Sequence, residues 1–498
     1  MHMPATAYHR LEERFRRIAV LRDIDSLLHW DMSTVMPLGA AAPRAEQMAA
    51  IKVLCHELLT APDMGELIGA AQAVGGLDPW QAANLAEMRR QWLHASAVDA
   101  GLTEALAKAT SACEMIWREA RPRRDFASVR GALQTVLDLT IQSARAKADI
   151  LGLSPFDALM DSFEPGVGEA EVDRIFAPLV KALPDLLARI TERQKAAPPI
   201  PLEGPFPAAK QREICLKLMG LLGFDFEQGR LDTSLHPFCG GAAGDVRITT
   251  RYDEGNFTKS LMGVLHETGH ALYEQGLPAQ WRYQPVGRVH SMAIHESQSL
   301  LIEMQVCRSR EFLTFAAPII AHSFAGNGAA WTPENLHRHY TRVAPGAIRV
   351  DADEVTYPLH ISLRYRLEKA MLARDLALGD LPAAWNEGMN KLLGFTPAHD
   401  GEGCLQDIHW FDGAWGYFPS YTLGAMAAAQ LYEAATAAEP GIGPSVAEGS
   451  FAPLLSWLRR NVHGEASRLR AMDLVHRASG RPLDANALLR HLERRYLA

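Results

Sequence analysis

Two histidines four residues apart, His266 and His270, enclose a glutamate in the run His266-Glu-Thr-Gly-His270. On a helix this spacing turns both imidazoles to one face, and two neutral nitrogens can then reach one Zn²⁺ at roughly 2.0–2.1 Å. Glu267 is rotated by about 100° from His266. It can take a proton from metal-activated water and hand it to a leaving amine without being a ligand itself. His-Glu-x-x-His is the zincin pattern. A pentapeptide with three fixed positions also arises by chance, as two ordinary histidines on a half-exposed helix. The flanks favour chemistry: Thr258 can cap the helix, Gly276 can close it in the left-handed region, and Pro278 forbids continuation. Leu261, Val264, Leu265 and Leu272 would bury its other face.

A catalytic zinc site uses three protein ligands, so two histidines leave one to find. The arrangement with Gly and His three and six residues after the second histidine is excluded, because Tyr273 and Gly276 stand there. The alternative is a carboxylate from a following helix. Ser291 to Leu301 shows helical apolar periodicity, and Glu296 falls 26 residues after His270, room for a helix to end and a second to return. Glu296 alone could equally be a surface charge. Among Ile294, Leu300 and Leu301 it needs a buried partner, which a cation supplies.

The elements that must position these residues read as helices. Leu11, Phe15, Ile18, Leu21, Ile24 and Leu28 mark one face of a long N-terminal helix, and Val172 to Ile190 marks another. Strand-like alternation is rare. Asp245 to Asp253, preceded by a Gly-rich run, predicts a small sheet or hairpin with Gly229 to Phe238. Prolines 198, 199, 201, 205 and 207 crowd a stretch that cannot be helical. One domain over residues 1–498 is expected, with a possible sub-lobe break near 197–208.

The chain has 498 residues, 48% hydrophobic and 22% charged, with a net charge of −8. That composition excludes a disordered chain, and the acidic balance argues against nucleic-acid binding, which needs a basic face. Six scattered cysteines suit free thiols in a reducing compartment. No apolar leader follows Met1, and the most apolar stretches are interrupted, Tyr421 to Ala438 by Gln430 and Glu433. A cytoplasmic protein without a membrane span is therefore expected.

His266-Glu-Thr-Gly-His270 followed by His295-Glu-Ser-Gln-Ser299 resembles the carboxypeptidase Taq family of zinc metallocarboxypeptidases. Further matches are His236-Pro-Phe, Asp245-Val-Arg-Ile-Thr, Ile348-Arg-Val-Asp-Ala-Asp, Gly403-Cys-Leu-Gln-Asp-Ile-His-Trp410, and the Trp-Asp…Met-Pro segment from His29 to Pro37. The resemblance implies a mainly α fold, a helical zincin-type body with a deep groove between two lobes and a small β-sheet near the metal. It also implies a homodimer that releases single C-terminal residues from peptides, with broad specificity but poor tolerance of proline. By this resemblance His266, His270 and Glu296 hold Zn²⁺ (Co²⁺ or Mn²⁺ as alternatives), and Glu267 is the base.

An exopeptidase acting at the C-terminus must hold a free carboxylate, best done by a planar guanidinium. Arg349 resembles the family residue near the closed end of the groove; its plainer reading is a structural pair with Asp351 or Asp353. Arg247 competes for the role, unless it pairs with Asp245 and holds the strand. Gln406 and His236 are candidates for positioning substrate, and His409 and Tyr421 for donating to an oxyanion. The rivals are an endopeptidase or aminopeptidase of the same motif, or a metal-stabilised scaffold without activity. An aminopeptidase would need acidic groups for a free amine, and a dead scaffold could have lost Glu267.

Overall fold

A computed structural model describes residues 6–289 and 291–498; the expectation about a leader at residues 1–5 lies outside these. Helices build nearly all of it. The N-terminal stripe forms the helix Ala7–Thr34, capped by Thr6, with Leu11, Phe15 and Ile18 buried; Ile24, placed by its spacing on the same face, is exposed. The second stripe forms Glu169–Gln194, with Val172, Ile175, Phe176, Leu179, Leu183 and Ile190 buried. No helix among the described residues is long and apolar enough to cross a membrane.

Among the described residues, apolar side chains gather in two cores. A small one joins Leu11, Phe15 and Ile18 to Met64, Leu67, Ile68, Leu85 and Met88. The large one runs from Cys113 to Tyr496 and includes Ile190, Phe206 and Ile214. That core has members on both sides of the proline-crowded stretch 197–208. Phe206 anchors that stretch against Phe257 and Phe324. Polar contacts tie the smaller unit to the larger: Arg90 and His94 meet Asp161, and Arg288 pairs with Asp23.

The sheet is small and mixed. Strands β1 (Gly229–Thr233), β2 (Phe238–Ala242) and β3 (Asp245–Thr250) lie in the order β1-β3-β2. β3 pairs with β1 in parallel and with β2 antiparallel. The hairpin partner of β3 is therefore the Gly-rich run itself. At Gly241, with φ 104°, a Cβ would collide with the Asp245 carbonyl, so the tight hairpin requires glycine there.

Candidate active site

The helix Phe257–Glu274 carries His266, Glu267 and His270. Its cap is Asn256, whose side chain accepts from the Thr258 N–H; Thr258 sits inside the first turn. Gly276 is not left-handed as expected. It is required for space, since a Cβ there would strike Arg459 and His463. The returning helix Met292–Leu300 is capped by Ser291, and its first turn is held by buried Glu164, which accepts from the Ser291 hydroxyl at 2.7 Å and from the Ala293 N–H.

Two glycines let the backbones close in. A Cβ on Gly269 would lie 2.4 Å from the Gln298 carbonyl oxygen, and one on Gly424, in the helix Pro419–Ala438, would lie 2.8 Å from Glu296 Cβ. The Glu296 helix is thus clamped between the other two. The ligand atoms of His266, His270 and Glu296 all lie within 4.8 Å of one another. Glu296 Oε2 is 3.8 Å from His266 Nε2 and 3.4 Å from His270 Nε2.

The outer atoms of both imidazoles are already committed. His266 Nδ1 meets Glu303 Oε2 at 2.9 Å, and His270 Nδ1 lies 3.0 Å from the His295 carbonyl, leaving both Nε2 atoms facing Glu296. Such outer partners orient metal-binding imidazoles. Glu303 lies in a π-helical stretch, Leu301–Cys307, that continues the Glu296 helix, and it is also paired with Arg308. Burial lowers the His270 pKa to about 4, which leaves it neutral. Burial opposes a charge on His266 too, yet Glu303, Glu296 and Glu267 together hold it up at about 10. Three carboxylates around one imidazole seek positive charge. Two nitrogens and a carboxylate oxygen converging in that field fit a divalent cation.

A cavity of about 470 Å³ opens on His266, Glu267 and Glu296, with Leu300, Met304, Tyr357 and Arg349 also lining it. Arg349 is paired, but to neither acid its spacing suggested. Asp351 bonds Lys259, and Asp353 accepts from the Val355 and Thr356 N–H groups. Asp407, 58 residues further on, accepts from Arg349 Nε and Nη2 at 3.0 and 2.7 Å, and Nη1 donates to the Tyr357 hydroxyl at 2.9 Å.

Tyr421 also lines the cavity, its ring 5.0 Å from the Arg349 guanidinium and its hydroxyl 3.2 Å from His409 Nε2. Burial raises the Tyr421 phenol to about 12 and lowers His409 to about 4. His409 stands behind Tyr421 rather than on the cavity wall. Gln406 is spent on backbone: it accepts from the Arg349 N–H and donates to the Ala347 and Glu402 carbonyls. Arg247 pairs with Asp245 and stacks on Trp30, away from this cavity. His236 is exposed on the β1–β2 loop; its neighbour Pro237 reaches the cavity.

A model of the carboxypeptidase Taq (M32) metallopeptidase family matches residues 10–496. The chain belongs to that family. It is 40% identical to thermostable carboxypeptidase 1 of Thermus thermophilus, over 99% of both chains, and 34% identical to carboxypeptidase 1 of Bacillus subtilis, over 98% of both. Its fold matches the solved Trypanosoma cruzi metallocarboxypeptidase 1 with a TM-score of 0.97 at 39% identity, over 99% of each chain. This member of the carboxypeptidase Taq family is therefore a metallocarboxypeptidase, a hydrolase of peptide bonds that uses a divalent metal.

The spacing missed several residues around the site. Glu303 had a signal, since it lies seven residues after Glu296, near the same helix face. Arg364, a cation following the apolar-rich start of the helix Tyr357–Leu372, had a weaker one. Glu164 and Gly424 had none, because their roles depend on which helices meet.

Proposed function

We propose that the protein removes single residues from peptide C-termini, with broad side-chain tolerance and little turnover at proline, using Zn²⁺ held by His266, His270 and Glu296. Co²⁺ or Mn²⁺ would suit the same donors. The observation that carries this reading is one cavity lined by His266 and Glu296 of the His-His-Glu triad, by Glu267 and by Arg349.

When bound, the ion supplies Lewis acidity to the scissile carbonyl and makes water more acidic. Glu267, held by burial at about 7, accepts the proton of the attacking water and returns it to the departing amine. The Tyr421 phenol, still protonated at neutral pH, donates to the carbonyl oxygen as charge develops there. His409 fixes the direction of that hydroxyl. Arg349 receives the α-carboxylate of the substrate, with Gln406 holding its backbone.

In this reading residues 1–498 act as one catalytic domain and two chains pair, as the family resemblance implies. The cytoplasmic reading is supported by six free cysteines, four of them buried.

The test is mass spectrometry of a peptide pool incubated with metal-loaded enzyme, each peptide as free acid, C-terminal amide and N-acetylated form. Stepwise shortening from the C-terminus is expected. Amidation should cost on the order of 2–5 kcal/mol, roughly 30-fold to several-thousand-fold in kcat/KM, and acetylation little. Acetylation blocking while amidation is harmless would make the enzyme an aminopeptidase. Internal cuts indifferent to both caps would make it an endopeptidase.

A further inference from the structure

Arg349 faces the cavity, but its guanidinium already leans on Asp407. A one-to-one ion pair would meet a substrate carboxylate as a nearly neutral unit, with little electrostatic reason to prefer an acid over an amide. The structure supplies a second arginine. Arg364 is fully buried on the helix Tyr357–Leu372, with its guanidinium 4.6 Å from the centre of the Trp385 ring. Its Nε donates to Asp407 Oδ2 at 2.5 Å and its Nη1 to the His360 carbonyl at 2.9 Å, while Nη2 has no partner among the described residues. Asp407 therefore gives one oxygen to each arginine, Oδ1 to Arg349 and Oδ2 to Arg364.

Two guanidinium groups share one carboxylate, and the groups around them do not change that balance. Burial lowers His360 to about 3 and His409 to about 4, so both are neutral. Burial pushes the Tyr357 and Tyr421 phenols up, so they are neutral as well. Glu368, one turn beyond Arg364, is turned to the Trp410 indole and the Gly416 N–H. Arg364 itself is lowered by burial only to about 10 and stays charged at neutral pH. One unit of positive charge is left over, and it meets the cavity at Arg349.

We propose that Arg364 is a positioning residue for substrate binding: by neutralising Asp407 from behind, it leaves Arg349 with a net positive charge for the C-terminal carboxylate of a peptide. A buried charge without a counterion is unfavourable, and an arriving carboxylate relieves it where an amide does not. The proposal rests on the reading of Arg349 given above.

The test compares kcat/KM for a free-acid peptide and its amide in the metal-loaded full-length enzyme, for wild type, Arg364→Met and the double variant Arg364→Met/Asp407→Asn. Arg364→Met leaves Arg349 and Asp407 as a closed pair, so no buried charge is stranded. Its acid-to-amide ratio should fall by at least ~10-fold, with the change in KM for the acid, as expected when a buried charge interaction is cancelled. The double variant removes one charge of each sign, restores the surplus, and keeps an Asn oxygen for Arg349; its ratio should recover towards wild type. If Arg364→Met does not fold, Arg364→Gln, similar in polarity but uncharged, takes its place. A wild-type enzyme indifferent to amidation would overturn the Arg349 reading and this proposal together. A wild type that discriminates beside an Arg364→Met enzyme that discriminates equally would overturn this proposal alone. Loss in the single variant without recovery in the double would show packing rather than charge, and would also overturn it.

Discussion

On the triad side Glu267, Glu296 and Glu303 surround His266; on the arginine side, Arg349 and Arg364 share Asp407. The first gathers three carboxylates, one of them also paired with Arg308, and the second has two guanidinium groups to one carboxylate. A cation is drawn to one and an anion to the other. The ends also differ in construction. The triad and its outer partners come from two helices joined by one loop, within residues 257–303. The arginine end is assembled from three segments, which carry Arg349, then Tyr357 with Arg364, then Asp407.

The sharpest way to break this contrast is to remove a member of the triad. His266→Ala and Glu296→Ala should each lose bound metal and nearly all activity, beyond the roughly 10–100-fold cost of losing an outer partner. Elemental analysis showing full occupancy in both would dismantle the assignment. Arg349→Ala should keep its metal while losing the preference for free acids. If it lost the metal too, the two ends would not be independent.

Glu267→Gln keeps size and hydrogen bonding but cannot accept a proton. Metal content should be normal and kcat lower by at least roughly 10²-fold. Wild-type turnover would remove Glu267 from the mechanism. Glu303→Gln probes the support behind His266. Because Gln holds the Nδ1 side less firmly and removes one negative charge, metal affinity should fall roughly 10–100-fold, read by competition with a chelator. An unchanged affinity would mean that Glu303 serves only Arg308.

How much of this was legible in the sequence follows the same division. His266, Glu267 and His270 were readable because helix geometry alone fixes their relation, and Glu296 because a charge among apolar residues needs a partner. The mainly helical fold was readable from periodicity, and so was a sheet near Asp245. Its strand order was not, since a Gly-rich run gives no alternation to read. At the arginine end Arg349 could be singled out, but its partner was sought among local acids, Asp351 and Asp353. The acid that pairs with it is Asp407, and nothing in local spacing shows that a loop 58 residues away packs against it. Gln406 carried polar atoms that suggested substrate, whereas the structure uses them to hold the Arg349 backbone. Residue type shows that a group needs a partner; only the packing of helices decides which one.

The smallest effect expected tests how tightly the metal end is built, using two glycines of one helix. Gly263 and Gly269 both lie in Phe257–Glu274, and in isolation either should gain by substitution with alanine, which loses less backbone entropy on folding. Their surroundings differ. A Cβ on Gly263 meets nothing within 4 Å, whereas one on Gly269 would lie 2.4 Å from the Gln298 carbonyl oxygen and 2.6 Å from Ser299 Cα. These are backbone atoms of the helix that bears Glu296, so they cannot swing aside as a side chain would. Gly263→Ala should therefore stabilise the protein by about 0.4–1 kcal/mol. Gly269→Ala should destabilise it by about 1–3 kcal/mol, the cost of overpacking, and loosen metal binding as the two helices are forced apart. Denaturant unfolding of the metal-free proteins reads the first quantity, and chelator competition the second. Equal stabilisation by both substitutions would mean that the helices can separate freely, and that the convergence of His266, His270 and Glu296 depends on the ion rather than on the packing beneath it.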